Sequence, residues 1–283
     1  MDDEKKDSRV IGLAGVHTAI SHLLHFWKTP DGDPFADVMR NGIRHSIPLR
    51  GEQFRSWIIG QCSLRYPGKV TSSNAVEQAQ SWAVGMAISQ GATYEANYRI
   101  AASGGKIFYD LANDAEEMVI CLNGDWDIIR PGTEAPRFIQ PFGHLAQVRP
   151  KRTEKSVADL LAPFIPVKRR EDLELLAAWV VGTYKPGGPF PVLIINGEQG
   201  SAKSTTTRVL RRLVDPNSRD ICEPPTNNRD FVAVVKNGYV LAVDNLSSLP
   251  AWLSDQLCRL ATGTGAIGGR ALYTNSDLDR KST

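Results

Sequence analysis

The stretch that decides the fold reads FPVLIINGEQGSAKST and spans residues 190–205. Its first part, Phe190 to Asn196, is a continuous apolar run of the kind that forms a buried parallel strand. The second part follows the phosphate-binding pattern G-x-x-x-x-G-K-[ST], with Ala202 in place of the second glycine. A helix is expected directly afterwards, from Thr205 to Leu213. The order of strand, loop and helix predicts a P-loop, and a chance glycine-rich turn before a helix is the alternative.

The residue types in this loop suit the binding of nucleotide phosphates. Glycine, serine and alanine leave the backbone N–H groups open to an anion, and the dipole of the following helix favours negative charge at its start. Lys203 is expected to reach the β- and γ-phosphates, and the Ser204 hydroxyl to ligate Mg²⁺. Ala202 fits this arrangement if its φ is negative as the helix begins. The predicted nucleotide-binding residues are Gly197, Glu198, Gln199, Gly200, Ser201, Ala202, Lys203, Ser204 and Thr205.

A second buried-strand run, Tyr239 to Asp244, ends in a carboxylate that would face Mg²⁺. The next residue is Asn245, at a position where many hydrolysing relatives have Glu. A carboxylate can accept the proton of an attacking water, whereas an amide can only orient that water. Asn245 is therefore either a catalytic residue beside Lys203 and Asp244 or a turn residue that ends the strand. Hydrolysis would be slow, or would use a base elsewhere.

Helices are predicted around and between these strands. Glu171 to Tyr184 and Arg229 to Lys236 show helical patterns, and Asp220 to Glu223 is a candidate short strand. Strands that alternate with helices predict an α/β domain with a parallel sheet over residues 171–283.

The first 150 residues have a different pattern. Apolar side chains at helical spacing predict helices over 9–27, around 54–58 and over 74–89, and the turn residues of 29–34 would end the first of them. Short strands of a β-meander are predicted at 94–101, 106–111, 118–122 and 126–129. We expect a smaller α+β accessory domain over residues 1–150.

A basic segment joins the two predicted domains over residues 151–170. Between Arg149 and Arg170 the sequence has seven Lys or Arg, two Asp or Glu, and three prolines. Such a charge run is typical of a solvated connector or a short helix. Contact with a nucleic-acid phosphate backbone is the alternative, and salt-sensitive binding would be its signature.

Composition excludes several classes of protein. The 283 residues are 42% hydrophobic and 23% charged, so the chain has material for packed cores and is not globally disordered. The net charge of +2 is too small to indicate a nucleic-acid partner by itself. The four cysteines are far apart, and the longest apolar run, 175–181, is far short of the ~20 residues of a membrane helix. We therefore expect a cytoplasmic protein without a membrane partner.

The motifs together resemble a bacterial family of ATP-binding proteins from phages and other mobile elements, related to the helicase part of primase-helicases. The resemblance depends on the P-loop run, on Glu223-Pro224 and Arg229-Asp230, and on LAVDNLSSLPAWLSDQLCRLATG over 241–263. The run TGTGAIGGRALY over 262–273 is similar to a hairpin that superfamily 3 helicases place in the DNA channel of a ring. The resemblance implies an AAA+ or superfamily 3 helicase-like P-loop NTPase domain, ATP and Mg²⁺ as cofactors, DNA as a partner, and homo-oligomers. Arg270 would contact DNA, and an exposed hairpin arginine is the alternative.

In the resembled ATPases, a strand with a sensor asparagine and then an arginine finger follow, whereas this sequence stops at Thr283. We therefore expect a P-loop domain that is truncated at its C-terminus, and the sequence leaves open whether ATP is turned over. The expected function is the ATPase or helicase part of a phage- or plasmid-type DNA replication protein. The alternative is a nucleotide-binding module without turnover, acting as a switch or assembly signal, or an inactive truncated product.

Overall fold

The computed structural model describes residues 9–40, 42–130, 132, 135–141, 143–236, 238–246 and 248–262. Two compact units divide the chain. The first is Met1–Ala96 with Arg137–Ile139, and the second is Asn97–Pro136 with Gln140–Thr283. The boundary predicted near residue 150 therefore differs from the one in the structure, which groups the β-meander with the loop of residues 197–205. The reason is that side chains of the meander, such as Tyr109, hydrogen-bond to the helix Lys203–Val214 that follows this loop, here to the Val214 carbonyl at 2.8 Å.

The first unit contains a four-stranded sheet and three helices. Its elements are β1 (Val10–Ile11), α1 (Leu13–Ile20), β2 (His25–Lys28), β3 (Pro34–Arg40), β4 (Ile43–Pro48), α2 (Glu52–Arg65), β5 (Val70–Thr71), α3 (Ser73–Gln90) and β6 (Ala92–Thr93). The sheet order is β4-β3-β2-β6, with β6 parallel to β2 and the other pairs antiparallel. Helices α2 and α3 confirm the predictions at 54–58 and 74–89. Their buried side chains, among them Phe54, Ile58 and Val76, form the core together with α1.

The helix predicted over residues 9–27 is wrong beyond Ile20. A short 3-10 turn follows α1, and β2 begins at His25. Trp27, which continues the helical spacing, is instead fully buried on the sheet and stacks on Phe35 with the ring centroids 4.5 Å apart. The turn chemistry of residues 29–34 does not end a helix but joins β2 to β3, with the Gly32 N–H donating to the Thr29 carbonyl at 2.9 Å.

The second unit begins with a meander and continues with helices. Its elements are β8 (Ile100–Ser103), β9 (Lys106–Asp110), β10 (Met118–Leu122), β11 (Asp125–Ile129), α4 (Val157–Leu161), α5 (Arg170–Thr183), α6 (Lys203–Val214), α7 (Asn228–Val235) and α8 (Ala251–Thr262). Two short strands remain: β7 (Ala96–Asn97), at the boundary between the units, and β12 (Arg137–Phe138), which belongs to the first unit. Strands β8 to β11 pair antiparallel in chain order. This confirms the predicted meander, with strand ends shifted by a residue or more.

Part of the predicted basic linker belongs to the packed core. Ser156 caps α4, its hydroxyl accepting from the Asp159 N–H at 3.1 Å, and Leu161 and Ile165 are buried with side chains of α5. Several of the basic residues form ion pairs, including Arg152 with Asp125 at 2.7 Å. A contact between these exposed basic residues and nucleic acid stays a prediction.

The strand predicted at 190–196 is absent from the described part of the chain. Leu193 and Ile195 pack against the core of α5 and α6, whereas Val192 and Ile194 are 54% and 71% exposed. A strand needs a second strand to pair with, and none of the strands in the described part of the chain pairs with this segment. The Phe190 N–H donates instead to the Ala261 carbonyl of α8, at 2.6 Å. The second predicted strand, 239–244, forms only one parallel bridge, between Val243 and Cys222. Cys222 lies in the short strand predicted at 220–223.

Candidate nucleotide-binding site

The loop before α6 is shaped by two glycines. The Ser201 N–H donates to the Glu198 carbonyl at 3.2 Å and closes a turn in which Gly200 has φ +82°. A Cβ atom at Gly197 would lie 2.6 Å from the Ser201 hydroxyl oxygen, which is closer than atoms can approach. A larger residue at Gly197 would therefore force the Ser201 hydroxyl to turn away. The loop presents Gln199 and its neighbours in a tight turn at the start of a helix.

Ala202 adopts the left-handed conformation, with φ +59° and ψ +26°. The condition that Ala202 has a negative φ is not met, because Ala202 is the cap of α6 and not its first residue. The helix begins at Lys203, two residues before the predicted start, and the Thr206 N–H donates to the Ala202 carbonyl at 2.9 Å. A left-handed conformation costs roughly 1–2 kcal/mol for a residue with a Cβ atom. The glycine that the general pattern has here would remove that strain.

We predict that Ala202→Gly raises the free energy of unfolding by about 0.5–1 kcal/mol. Relief of the left-handed strain outweighs the roughly 0.4–1 kcal/mol that the added backbone entropy of the unfolded chain costs. Chemical denaturation of the full chain measures the change. The matched control is Ala233→Gly, at an exposed position inside α7, which we expect to lower the free energy of unfolding by about 0.5–1 kcal/mol. A loss of stability in both variants would contradict the prediction.

The Lys203 ammonium lies over the mouth of the loop. Its Nζ donates to the carbonyls of Gly197 and Glu198, both at 2.8 Å. The side chain is thus folded back onto the first two residues of the loop, with its charge on their carbonyl oxygens. Thr205 lies in the first turn of α6 with an exposed side chain.

Ser204 and Asp244 meet, although 40 residues separate them in the sequence. The Ser204 hydroxyl donates to Asp244 Oδ2 at 2.5 Å. This hydrogen bond lowers the pKa of the Asp244 carboxyl, and the Asn245 backbone N–H and the charges of Arg208 and Lys203 lower it further. An ionised carboxylate beside a hydroxyl offers two oxygen ligands of the type that Mg²⁺ prefers, since this ion keeps waters and phosphate oxygens in its remaining positions.

The segment that carries Asp244 is held by backbone hydrogen bonds to Cys222. The Cys222 N–H donates to the Ala242 carbonyl at 3.0 Å, and the Asp244 N–H donates to the Cys222 carbonyl at 3.1 Å. These two bonds have the parallel pattern of a β-bridge. They direct the end of the segment toward the start of α6, where Ser204 lies.

Asn245 is left-handed, with φ +58°, and its backbone N–H donates to Asp244 Oδ1 at 2.9 Å. Asparagine tolerates this conformation better than most residues. The geometry favours the interpretation of Asn245 as a turn residue, while its role toward water stays a prediction. Arg270 lies outside the described residues.

Sequence reasoning missed a buried polar cluster at the other end of α6. Asp215, which follows the helix, is 1% exposed and pairs with Arg99 of the meander at 3.3 Å. Arg99 is fully buried and donates to the carbonyls of Asp110, Leu145 and Pro216 at 2.8–3.2 Å. No local signal marks either residue, because an Asp before a proline ordinarily indicates only the end of a helix.

His144 completes this cluster as a neutral group. Its Nε2 lies 3.8 Å from Asp215 Oδ1, and its side chain is 4% exposed. Burial lowers the pKa of His144 to about 4, with a further lowering from the charge of Arg99. The charge of Asp215 is therefore balanced by the arginines and not by the imidazole.

Comparison with known proteins identifies a similarity over this second unit. Residues 158–283 match the family model of the actinomycete integrative conjugative element replication protein. The matched part includes the loop, Asp215 and Asp244. The match supports a mobile-element replication protein and so confirms that part of the resemblance. No curated protein and no solved structure matches the chain.

Within the described ranges, no helix combines the length and the apolar character needed to cross a membrane.

Proposed function

We propose that this chain is the ATP-binding part of a mobile-element DNA replication protein. The observation that carries the proposal is the contact between Ser204 and Asp244, which brings a loop hydroxyl and a distant carboxylate together at the start of α6. A chance glycine-rich turn gives no reason for that convergence. The family match supports the replication role, and DNA is the partner that such a role requires.

The residues of the loop fit a nucleoside triphosphate. The turn that ends at Ser201 supplies backbone N–H groups, and α6 adds the positive end of its dipole. Lys203, which donates to the Gly197 and Glu198 carbonyls in this structure, would be the residue that contacts the β- and γ-phosphates. Ser204 and Asp244 would hold Mg²⁺, whose positive charge would neutralise the phosphates.

A second candidate function is nucleotide binding without turnover, and Asn245 favours it. The residue after Asp244 has an amide, which cannot take a proton from water, and its backbone has a turn conformation. Phosphate release with and without single-stranded DNA separates the two functions. Release that rises with DNA supports an ATPase, whereas tight binding with no release supports a switch.

We predict that Ser204→Ala and Asp244→Asn each weaken Mg²⁺-dependent binding of a fluorescent ATP analogue by about tenfold or more. Each change removes a contact to a charged group worth roughly 1.5–3 kcal/mol, and 1.4 kcal/mol corresponds to tenfold in affinity. The titration is done with the full chain, with and without Mg²⁺.

Ser89→Ala and Asp255→Asn are the matched controls for these two variants. Both residues are exposed on other helices, α3 and α8, and we expect affinities equal to that of the unaltered chain. Equal affinity of the unaltered chain, the two variants and the two controls would contradict the assignment of this site.

A further inference from the structure

The carboxylate of Asp215 binds the backbone at the start of the segment that ends in Asp244. Its Oδ2 accepts hydrogen bonds from the Tyr239 N–H at 2.7 Å and the Val240 N–H at 3.0 Å. Two bonds converge on one oxygen of a side chain that is 1% exposed. A hydrogen bond to a charged and buried acceptor is stronger than one between neutral groups.

Helix α6 connects this anchor to the predicted metal ligands. The helix has 12 residues and is therefore about 18 Å long. Ser204 at its beginning contacts Asp244, and Asp215 directly after its end contacts Tyr239 and Val240. The segment 239–244 thus runs back along α6 and is tied to the same helix at both ends.

The other contacts of Asp215 keep its carboxylate in place. Arg99 Nε lies 3.3 Å from Oδ1, and Arg211 Nη2 lies 3.6 Å from Oδ2. Arg99 is itself fixed by three backbone carbonyls. The Asp215 carboxylate therefore cannot move without breaking buried charge contacts, and it holds Tyr239 and Val240 in a fixed position.

We propose that Asp215 is a positioning residue for Mg²⁺: by holding the N–H groups of Tyr239 and Val240, it sets how closely Asp244 approaches Ser204. This inference rests on the proposed function. Mg²⁺ demands near-ideal octahedral geometry, so a displacement of one ligand weakens the metal-dependent part of nucleotide binding. The phosphate contacts of the loop do not depend on the segment and keep their strength.

The testing variant is Gly238→Ala. A Cβ atom at Gly238 would lie 2.6 Å from Asp215 Oδ2 and 2.9 Å from Arg211 Nη2, so it pushes the carboxylate away from Tyr239 and Val240. The measurement is the ratio of the dissociation constants of a fluorescent ATP analogue without and with Mg²⁺. We expect this ratio to fall at least fivefold in Gly238→Ala, with the Mg²⁺-free affinity unchanged.

Tyr239→Phe is the matched control in the same segment. It removes the hydroxyl that donates to the Thr183 carbonyl at 2.8 Å and leaves the backbone N–H groups in place. We expect a lower melting temperature and an unchanged Mg²⁺ ratio. Asp215→Asn is the second variant, which keeps the shape of the side chain and removes its charge; its ratio should fall as in Gly238→Ala.

The possible outcomes distinguish a failure of the proposed function from a failure of the positioning role of Asp215. If the unaltered chain binds no nucleotide, the proposed function fails whatever Asp215 does. If it binds with a Mg²⁺ ratio that Gly238→Ala and Asp215→Asn leave unchanged, the positioning role is overturned and the site stands. Equal losses with and without Mg²⁺, or failure of both variants to fold, would assign Asp215 a purely structural role and also overturn the inference.

Discussion

Lys203→Ala is expected to weaken Mg–ATP binding by about 10- to 100-fold. Contacts to charged groups are worth roughly 1.5–3 kcal/mol each, and the ammonium is the one side-chain cation that the loop itself supplies. The melting temperature should hardly change, because the hydrogen bonds of Lys203 to Gly197 and Glu198 lie on the exposed surface. Titration of a fluorescent ATP analogue into the full chain, with a thermal melt beside it, measures both quantities.

Two variants control this result. Lys168→Ala removes an exposed lysine outside the loop and should bind as the unaltered chain does. Lys203→Arg keeps the charge but adds a planar head group that does not act as a point charge, so we expect an intermediate affinity. Binding by Lys203→Ala as tight as that of the unaltered chain would show that the loop is not a phosphate site.

Arg99→Met is expected to lower the free energy of unfolding by about 3–5 kcal/mol. Removing one partner of a buried ion pair is costly, and here Asp215 would keep only its longer contact with Arg211, at 3.6 Å, beside the neutral His144. The carbonyls of Leu145 and Pro216 would also lose their donor. Denaturant titration of the full chain gives the difference.

The control for this prediction is Arg212→Met. Arg212 lies on α6 and pairs with Asp220, but its side chain is 65% exposed, so the loss should stay below about 1 kcal/mol. Similar losses in the two variants would mean that the cluster around Asp215 is no more important for stability than a surface pair.

Local patterns predicted the parts of the site that lie close together in the sequence. The spacing of Gly197, Lys203 and Ser204 identified the loop, and an apolar run that ends in a carboxylate identified Asp244. The structure then brings Ser204 and Asp244 together. Local patterns can predict such a loop because a turn at a helix start is encoded by a few neighbouring residues, and the roles of these residues toward nucleotide stay predictions.

The misses have different physical causes. Trp27 has the spacing of a helix residue, but its indole is buried against Phe35 and donates to Asp37 at 2.7 Å, so tertiary packing overrides the local period. The pairing of Arg99 with Asp215 joins positions 116 residues apart, and no local pattern records such a contact. Ala202 has a different cause. It stands where the phosphate-binding pattern has glycine, and it adopts a left-handed conformation that strains a residue with a Cβ atom.

The buried pair of Arg99 and Asp215 also decides how the chain can be divided into fragments for experiment. A fragment that begins at residue 151, at the basic segment, would contain every residue of the loop and Asp244. It would lack Arg99, Asp110 and Tyr109, and Asp215 would keep only the longer of its two arginine contacts, with Arg211 at 3.6 Å. We expect such a fragment to be poorly stable, and its failure to bind nucleotide would say nothing about the loop. A fragment suited to binding or crystallisation work should begin no later than residue 97, where the second compact unit starts.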